Sequence, residues 1–114
     1  MDNCIFCKII AGEIPSNKVY EDDTVLAFKD IEPKAPIHVL VIPKKHIKSI
    51  LELHSSDKEL IAHMFEVAKK IAVEMGIAET GFRTIINTGD NAGQTVHHIH
   101  MHIMGGREFD WPEG

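Results

Sequence analysis

Histidines and apolar residues alternate along one short segment near the carboxyl end, and this alternation constrains the fold more than any other feature of the chain. The segment reads QTVHHIHMHIMGG over residues 94–106 and holds four of the eight histidines of the 114-residue chain. Successive side chains of a β-strand point to opposite faces of its sheet. His98, His100 and His102 are therefore predicted to share one face, while the apolar residues between them pack into a core. The segment thus predicts a sheet with one apolar face and one imidazole-bearing face.

Hydrophobic periodicity predicts one long helix. Apolar residues recur at three- and four-residue spacing, at Leu60, Met64, Val67, Ile71 and Met75. This pattern gives an amphipathic helix of about five turns at 3.6 residues per turn. Ser56 and Glu59 fit a capping box at its start, and Gly76 is a natural stop at its end.

Shorter segments separated by turn residues predict the rest of the fold. A short helix is expected at residues 4–11, and strands are expected at residues 18–20, 25–28, 38–42, 82–87 and 96–104. Strands joined by short connections, together with one long helix, indicate the α+β class. The prediction is a single domain over residues 1–114, with a mainly antiparallel sheet of about five strands, one long amphipathic helix and a short N-terminal helix. The long helix would cover one face of the sheet and leave the other for a ligand or a second subunit.

Composition narrows the functional classes. The net charge of -5 argues against binding to a nucleic-acid backbone, which would favour a basic face. No apolar run approaches the roughly 18 residues needed to span a bilayer, so no membrane association is expected. The first residues lack the basic start, the long apolar stretch and the cleavage site of a signal peptide, which favours a cytoplasmic protein.

The imidazole face has three possible uses. It could be a solvated strand surface, a metal site made of histidines alone, or a catalytic or ligand-binding face. Neighbouring imidazoles repel each other when protonated, so at least one ring is expected to be neutral near pH 7 and able to act as a nucleophile or base. The preceding loop favours the third use, because Gly93, Gln94 and Thr95 offer backbone N–H groups and a hydroxyl for a phosphate.

Residues 98–104, HIHMHIM, resemble the signature of the histidine triad superfamily. The resemblance extends to CIFCKII at residues 4–10, FKDI at 28–31, APIHVLVIPKKH at 35–46 and the ending GGR…WP at 105–112, all of which are similar to the nucleotide-binding branch. It implies a HIT-like fold, a homodimer and a purine nucleoside phosphoramidase. Such an enzyme cleaves the P–N bond of adenosine 5′-phosphoramidate-type substrates, or acts on aminoacyl-adenylates, through a nucleotidyl-histidine and without a catalytic cofactor. Two alternatives stay open: a dinucleoside polyphosphate hydrolase or nucleotidyl transferase of the same superfamily, and a slow nucleotide-binding adaptor.

The resemblance also implies roles for individual residues. His100 would be the nucleophile and His98 would orient its ring, while His102, His38 and Thr95 would complete the polar network around the phosphate; Thr95 stands where members usually carry serine. The purine pocket would comprise Ile5, Phe6, Ile9 and Phe28, the ribose contact Asp30 and Ile31, and the phosphate side Asn87, Gly93, Gln94, Thr95, Val96, His100 and His102. Trp111 would reach the substrate region of the partner subunit, or else anchor a packed tail, and Asp30 could simply form a turn.

Cys4 and Cys7 form a CxxC pair, which supplies half of a four-ligand zinc site. The strand that precedes a thioredoxin-type motif is missing, since only three residues come before Cys4. Relatives of bacterial type complete such a pair with histidines that match His46 and His98, so the resemblance implies structural Zn²⁺; the alternative is two free thiols. If zinc holds His98, its ring cannot carry protons and its role becomes that of orienting the strand. His97 is commonly aromatic in the branch, and alternation predicts a core or interface position for it.

Overall fold

The computed structural model describes residues 3–111, and their secondary structure combines two α-helices with one sheet. The helices are α1 (Ile5–Ile10) and α2 (Lys58–Glu74); the strands are β1 (Lys18–Glu21), β2 (Val25–Lys29), β3 (Ile37–Pro43), β4 (Phe82–Ile85) and β5 (Met101–Gly105). The sheet order is β1-β2-β3-β5-β4, and every neighbouring pair is antiparallel. The predicted α+β class, with five antiparallel strands and one long helix, is confirmed. No helix in this part of the chain is long and apolar enough to cross a membrane.

The helix α2 covers one face of the sheet. Alternate residues of the three central strands point toward it and are fully buried: Val25, Ala27, Val39, Val41, Met101 and Ile103. They pack against the apolar stripe of α2, which includes Met64, Val67 and Ile71. This face therefore forms the main core, and the alternation predicted for the histidine segment holds within β5, where His102 points away from it.

The opposite face combines the second apolar cluster with histidines. Leu26, Phe28, Leu40 and Ile42 pack there against Phe6 and Ile9 of α1. Leu40 lies directly across the sheet from His102, so β5 delivers His102 to the edge of this cluster. His38 lies two residues before Leu40 on β3 and therefore shares its face. The face not covered by α2 is thus the one that gathers candidate functional residues.

The start of α2 differs from the prediction. Ser56 is not the N-cap, because a 3-10 turn at Ser55–Asp57 precedes the helix and places Asp57 in that position. The Asp57 carboxylate accepts hydrogen bonds from the backbone N–H of His54 and from Lys45, so it closes the turn and binds it to the segment after β3. The end of the helix agrees with the sequence: Gly76 has a φ of 76°, and the N–H of Ile77 donates to the carbonyl of Ala72.

The strand predicted at residues 96–104 begins only at Met101. The reason is a competing set of hydrogen bonds, since the backbone N–H of Ile99 donates to the carbonyl of Ile47 instead of to a neighbouring strand. His98 and His100 therefore lie on a lead-in to β5 that is not paired with a neighbouring strand. His97 is exposed, so the core position is wrong, because alternation along a strand does not apply where the chain has left the sheet. The interface position stays a prediction.

Candidate active site

His100 is buried, and one hydrogen bond fixes which of its nitrogens carries the proton. Its Nδ1 lies 2.8 Å from the carbonyl oxygen of His98. A carbonyl oxygen can only accept, so Nδ1–H donates and the lone pair of the neutral ring lies on Nε2. Burial lowers the pKa of His100 below its ordinary value, which keeps the ring neutral near pH 7. His100 therefore presents an unprotonated Nε2, the form that can act as a nucleophile.

His38 and His102 form a second hydrogen-bonded pair with a defined proton direction. The backbone N–H of Lys34 donates to Nδ1 of His38, so the neutral His38 ring carries its proton on Nε2. This Nε2–H faces Nδ1 of His102 at 2.9 Å, which leaves the proton of the neutral His102 ring on its own Nε2. Burial is the largest cause that lowers the pKa of His102 to about 4, and His100 and His38 lower it further. His102 thus presents an N–H donor 5.0 Å, ring centroid to ring centroid, from His100.

Asp30 has two roles in the geometry. Its Oδ1 accepts the backbone N–H of Glu32 at 2.8 Å, which is the turn-forming role considered for it. Its Oδ2 lies 3.4 Å from Nε2 of His38, where its charge partly offsets the lowering of the pKa of His38 by burial. The neighbouring Ile31 is 90% exposed and is therefore free of the core.

The residues expected at a purine pocket surround one aromatic ring. Phe6 packs edge-to-face against Phe28, with centroids 5.6 Å apart, and against His100, with centroids 5.1 Å apart. Phe6, Ile9 and Phe28 are buried, whereas Ile5 is half-exposed. A cavity of about 310 Å³ lies between α1 and the loop before β5, lined in part by Ile5, Thr95 and Val96. Ile5 thus lies beside two phosphate-side residues, Thr95 and Val96, at an open surface. The other three residues expected at the purine pocket are buried behind this surface.

The loop expected to hold a phosphate has one buried side chain among exposed neighbours. Gly93 and Thr95 are exposed, Asn87 and Val96 are half-buried, and Gln94 is 6% exposed. Gly93 ends a 3-10 turn (Asp90–Ala92) with a φ of 81°, a conformation that favours glycine. Trp111 is 85% exposed, so it is not a packed anchor within the single chain; Pro112 of the same motif lies outside the described residues.

Cys4, Cys7, His46 and His98 bring four metal-ligating atoms together. One such atom of each residue lies within 4.8 Å of all the others, and Nδ1 of His98 is 3.3 Å from Sγ of Cys4 and 3.2 Å from Nδ1 of His46. The Nε2–H of His98 donates to the carbonyl of Pro43 at 2.8 Å, so the lone pair on Nδ1 points into the cluster. Burial, with the neighbouring Cys4, raises the pKa of the Cys7 thiol to about 11. Two sulfurs and two imidazoles suit tetrahedral zinc, which would stabilise the thiolates.

His98 connects this cluster to His100 through two different groups. Its ring belongs to the cluster, and its backbone carbonyl accepts the Nδ1–H of His100. Sequence patterns do not reveal this connection, because the groups that fix the ring protons are backbone groups: the carbonyls of Pro43 and His98 and the N–H of Lys34.

Comparisons with known proteins agree over almost the whole chain. The family model described as "Scavenger mRNA decapping enzyme C-term binding" matches residues 3–110. The purine nucleoside phosphoramidase of Escherichia coli K12 is 49% identical over 106 residues, which cover 93% of this chain and 89% of that protein. The crystal structure of a HIT family hydrolase from Legionella pneumophila Philadelphia 1 is 50% identical, covers 98% of this chain and 100% of that chain, and superposes with a TM-score of 0.97. A histidine triad protein from Clostridium difficile is 51% identical, covers 99% and 97% of the two chains, and gives a TM-score of 0.94.

Proposed function

Since the chain belongs to the histidine triad (HIT) family, which includes solved hydrolases, we propose that it is a purine nucleoside phosphoramidase. Its substrates would be adenosine 5′-phosphoramidate and related nucleoside phosphoramidates or aminoacyl-adenylates. The observation that carries this proposal is the state of His100, whose Nδ1–H is bonded to a carbonyl while Nε2 stays unprotonated. The E. coli relative named purine nucleoside phosphoramidase supports the choice of substrate class.

In the first step, Nε2 of His100 attacks the α-phosphorus and the bond from phosphorus to the amine nitrogen breaks. The imidazole becomes a cation in the nucleotidyl-histidine, and the carbonyl of His98 stabilises it through the retained Nδ1–H bond. The departing amine takes up a proton from solvent. His102 is neutral, so its Nε2–H would donate a hydrogen bond to a phosphate oxygen and keep its proton, while His38 holds the other side of that ring.

In the second step, water attacks the phosphorus and releases a proton to solvent as the bond from phosphorus to His100 breaks, which releases the nucleoside 5′-monophosphate and restores the neutral ring. The rest of the site would hold the nucleotide in place. The purine would lie on the apolar surface beside Ile5, the ribose hydroxyls would reach Asp30 and Ile31, and the phosphate would meet the loop at Thr95. The loop and the histidines position the phosphorus for in-line displacement, and positioning together with charge stabilisation dominates phosphoryl chemistry.

The test is hydrolysis of adenosine 5′-phosphoramidate by the parent protein and by His100→Ala. Loss of the nucleophile should reduce kcat/KM by several orders of magnitude. His54→Ala is the control, because it removes an exposed histidine that lies outside the cavity beside Ile5 and should keep the parent rate. Equal rates for the parent and His100→Ala would exclude this mechanism. Failure of the parent to turn over, with AMP still bound, would instead favour the nucleotide-binding adaptor.

We also propose a structural zinc ion held by Cys4, Cys7, His46 and His98, supported by the convergence of their ligand atoms. When bound, the ion would anchor α1 and the lead-in to β5. Zinc content and the absorption spectrum after cobalt replacement provide tests that do not depend on activity. The parent should retain about one equivalent of metal through dialysis, and Cys7→Ser should retain much less. A parent protein that binds no zinc would contradict this proposal and support the alternative, in which Cys4 and Cys7 are free thiols.

We further propose that two copies of the chain form the homodimer implied by the family resemblance. β4 lies at an edge of the sheet with one neighbouring strand, β5, and Phe82 at its start is partly exposed. Phe65 and Val73 are exposed on α2, where they add apolar surface. Sedimentation velocity should give a dimer for the parent and a monomer for Phe65→Glu; a monomeric parent at micromolar concentration would contradict the proposal.

A further inference from the structure

Gln94 is the buried side chain of an otherwise exposed loop, and its amide hydrogen-bonds to three backbone groups. Its Oε1 accepts the N–H of Gly89 at 3.0 Å, while its Nε2 donates to the carbonyl of Lys48 at 2.8 Å and to that of Val96 at 3.1 Å. The amide orientation follows from chemistry, because an N–H requires the oxygen and two carbonyls require the nitrogen. The side chain therefore fits this place in one orientation only.

The same residue also closes the loop through its main chain. The backbone N–H of Gln94 donates to the carbonyl of Gly89 at 3.1 Å, so Gly89 and Gln94 are joined by two hydrogen bonds of opposite direction. The loop between them contains the 3-10 turn and ends at Gly93. The four residues between Gly89 and Gln94 are thereby held at both ends.

The bonds to Lys48 and Val96 fix where the loop lies relative to the histidines. The last residue of β3 and the segment after it accept three hydrogen bonds from the lead-in to β5, through the carbonyls of Pro43, Ile47 and Lys48. Their donors are the ring of His98, the N–H of Ile99 and the amide of Gln94. Gln94 is thus the first of three attachments, and it lies directly before Thr95 and six residues before His100.

The bonding also shows what Gln94 does not do. A phosphate is recognised by hydrogen-bond donors, and both donors of the Gln94 side chain already face carbonyls. From these contacts we infer that Gln94 is a positioning residue: its side chain brackets the loop so that the Thr95 hydroxyl and the nearby backbone N–H groups are held at the phosphate beside His100. This inference rests on the proposed phosphoramidase function and replaces a direct nucleotide contact by Gln94 with an indirect one.

The experiment compares the parent with Gln94→Met, which is similar in length and uncharged but lacks the amide. Asn91→Ala is the matched control, since Asn91 is exposed in the same loop. With adenosine 5′-phosphoramidate, kcat of Gln94→Met should fall by about 10- to 100-fold, because a displacement near 1 Å is enough for such a loss. Adenosine, which has no phosphate, should bind with a Kd within about twofold of the parent value, because its contacts lie outside the loop.

Amide hydrogen exchange at Gly89 separates positioning from contact. In the parent, the Gly89 N–H should exchange more slowly than expected for an exposed loop, and in Gln94→Met it should exchange at least about tenfold faster, as when a hydrogen bond is lost. An unchanged kcat in Gln94→Met would overturn the inference. A reduced kcat with Gly89 still protected would also overturn it, by indicating direct contact with substrate. A parent without turnover would remove the proposed function and this role together. The Gly89 measurement would still report whether the hydrogen bond from Gly89 to the Gln94 side chain forms.

Discussion

Single residues at the end of β5 show how two adjacent glycines meet different requirements. A Cβ on Gly105 would lie 2.8 Å from Cδ1 and 3.0 Å from Cβ of Ile77, which is buried beneath it. Gly106 has a φ of 90°, a conformation that side chains rarely adopt. The first glycine thus allows close packing of the strand on the residue after α2, and the second turns the chain out of the sheet.

Gly105→Ala should therefore destabilise the protein by about 1–3 kcal/mol through overpacking. Part of the clash involves the Cβ of Ile77, which rotation of that side chain cannot move away. Urea unfolding measures the effect, and Ile77→Ala supplies the background that tests the cause. The penalty of Gly105→Ala should shrink in that background, which lacks Cδ1 and Cγ2 but keeps the Cβ of residue 77. An equal penalty in both would mean that the contacts with Cδ1 and Cγ2 of Ile77 are not responsible.

At the same scale, the sequence identified the kinds of side chain at the site but not how they are connected. The triad and the two cysteines are recognisable because closely spaced imidazoles and thiols stand out in a sequence, whereas His38 is assigned to the site only through the family resemblance. The proton positions depend on the carbonyl of His98 and the N–H of Lys34, which every non-proline residue possesses. Gln94 was recognisable as part of a phosphate-side segment, whereas its burial and inward bonding depend on the packing of the segment after β3.

Between elements, Asp22 joins the turn after β1 to the long helix. Its carboxylate accepts hydrogen bonds from the Tyr20 hydroxyl and from the ring of His63 on α2, and it also accepts the backbone N–H groups of Thr24 and Val25. The bond to Asp22 is the largest cause that raises the pKa of His63. The charged pair therefore stabilises the fold at and below the ordinary histidine pKa of 6.5, and this contribution is lost as the pH rises through the raised value.

Asp22→Asn should lower the free energy of unfolding by about 1–3 kcal/mol at pH 6, because hydrogen bonds to a partly buried carboxylate are lost or weakened. Asp23→Asn removes an exposed carboxylate from the same turn and should change stability by less than about 0.5 kcal/mol. Chemical unfolding of the three proteins provides the measurement. Equal losses in the two variants would attribute the effect to net charge rather than to the bonds of Asp22.

Elements were predictable from sequence where local pattern and tertiary packing agree. The apolar stripe and Gly76 sufficed for α2, since the same residues that define the pattern are those buried against the sheet. β5 was predicted five residues too early because alternation continues through His98, although the N–H of Ile99 pairs with Ile47 instead of a strand. Its true start depends on a hydrogen bond between residues 52 positions apart, which local pattern does not encode.

Across the whole molecule, the two faces of the sheet differ: one packs the main core, and the other carries the candidate catalytic residues. The face under α2 is apolar and fully buried, whereas the other face buries histidines next to an aromatic cluster. Burial lowers the pKa of His38, His98, His100 and His102, so each is neutral in the folded protein over a range in which the unfolded chain would bind a proton. The arrangement that keeps a nucleophile unprotonated therefore makes the fold sensitive to acid.

His102 provides the clearest test of this acid sensitivity. Its pKa is 6.5 when unperturbed and about 4 in the fold, so the stability linked to it is fully present above 6.5 and is lost as the pH falls toward 4. Between pH 7 and pH 5, the parent should lose about 2 kcal/mol more free energy of unfolding than His102→Gln, which has no titrating ring. His97→Gln removes an exposed histidine of the same segment and should keep the steep pH dependence of the parent. Urea unfolding at the two pH values provides the measurement. If His102→Gln loses as much stability as the parent, proton uptake by His102 does not cause the loss of stability between pH 7 and pH 5.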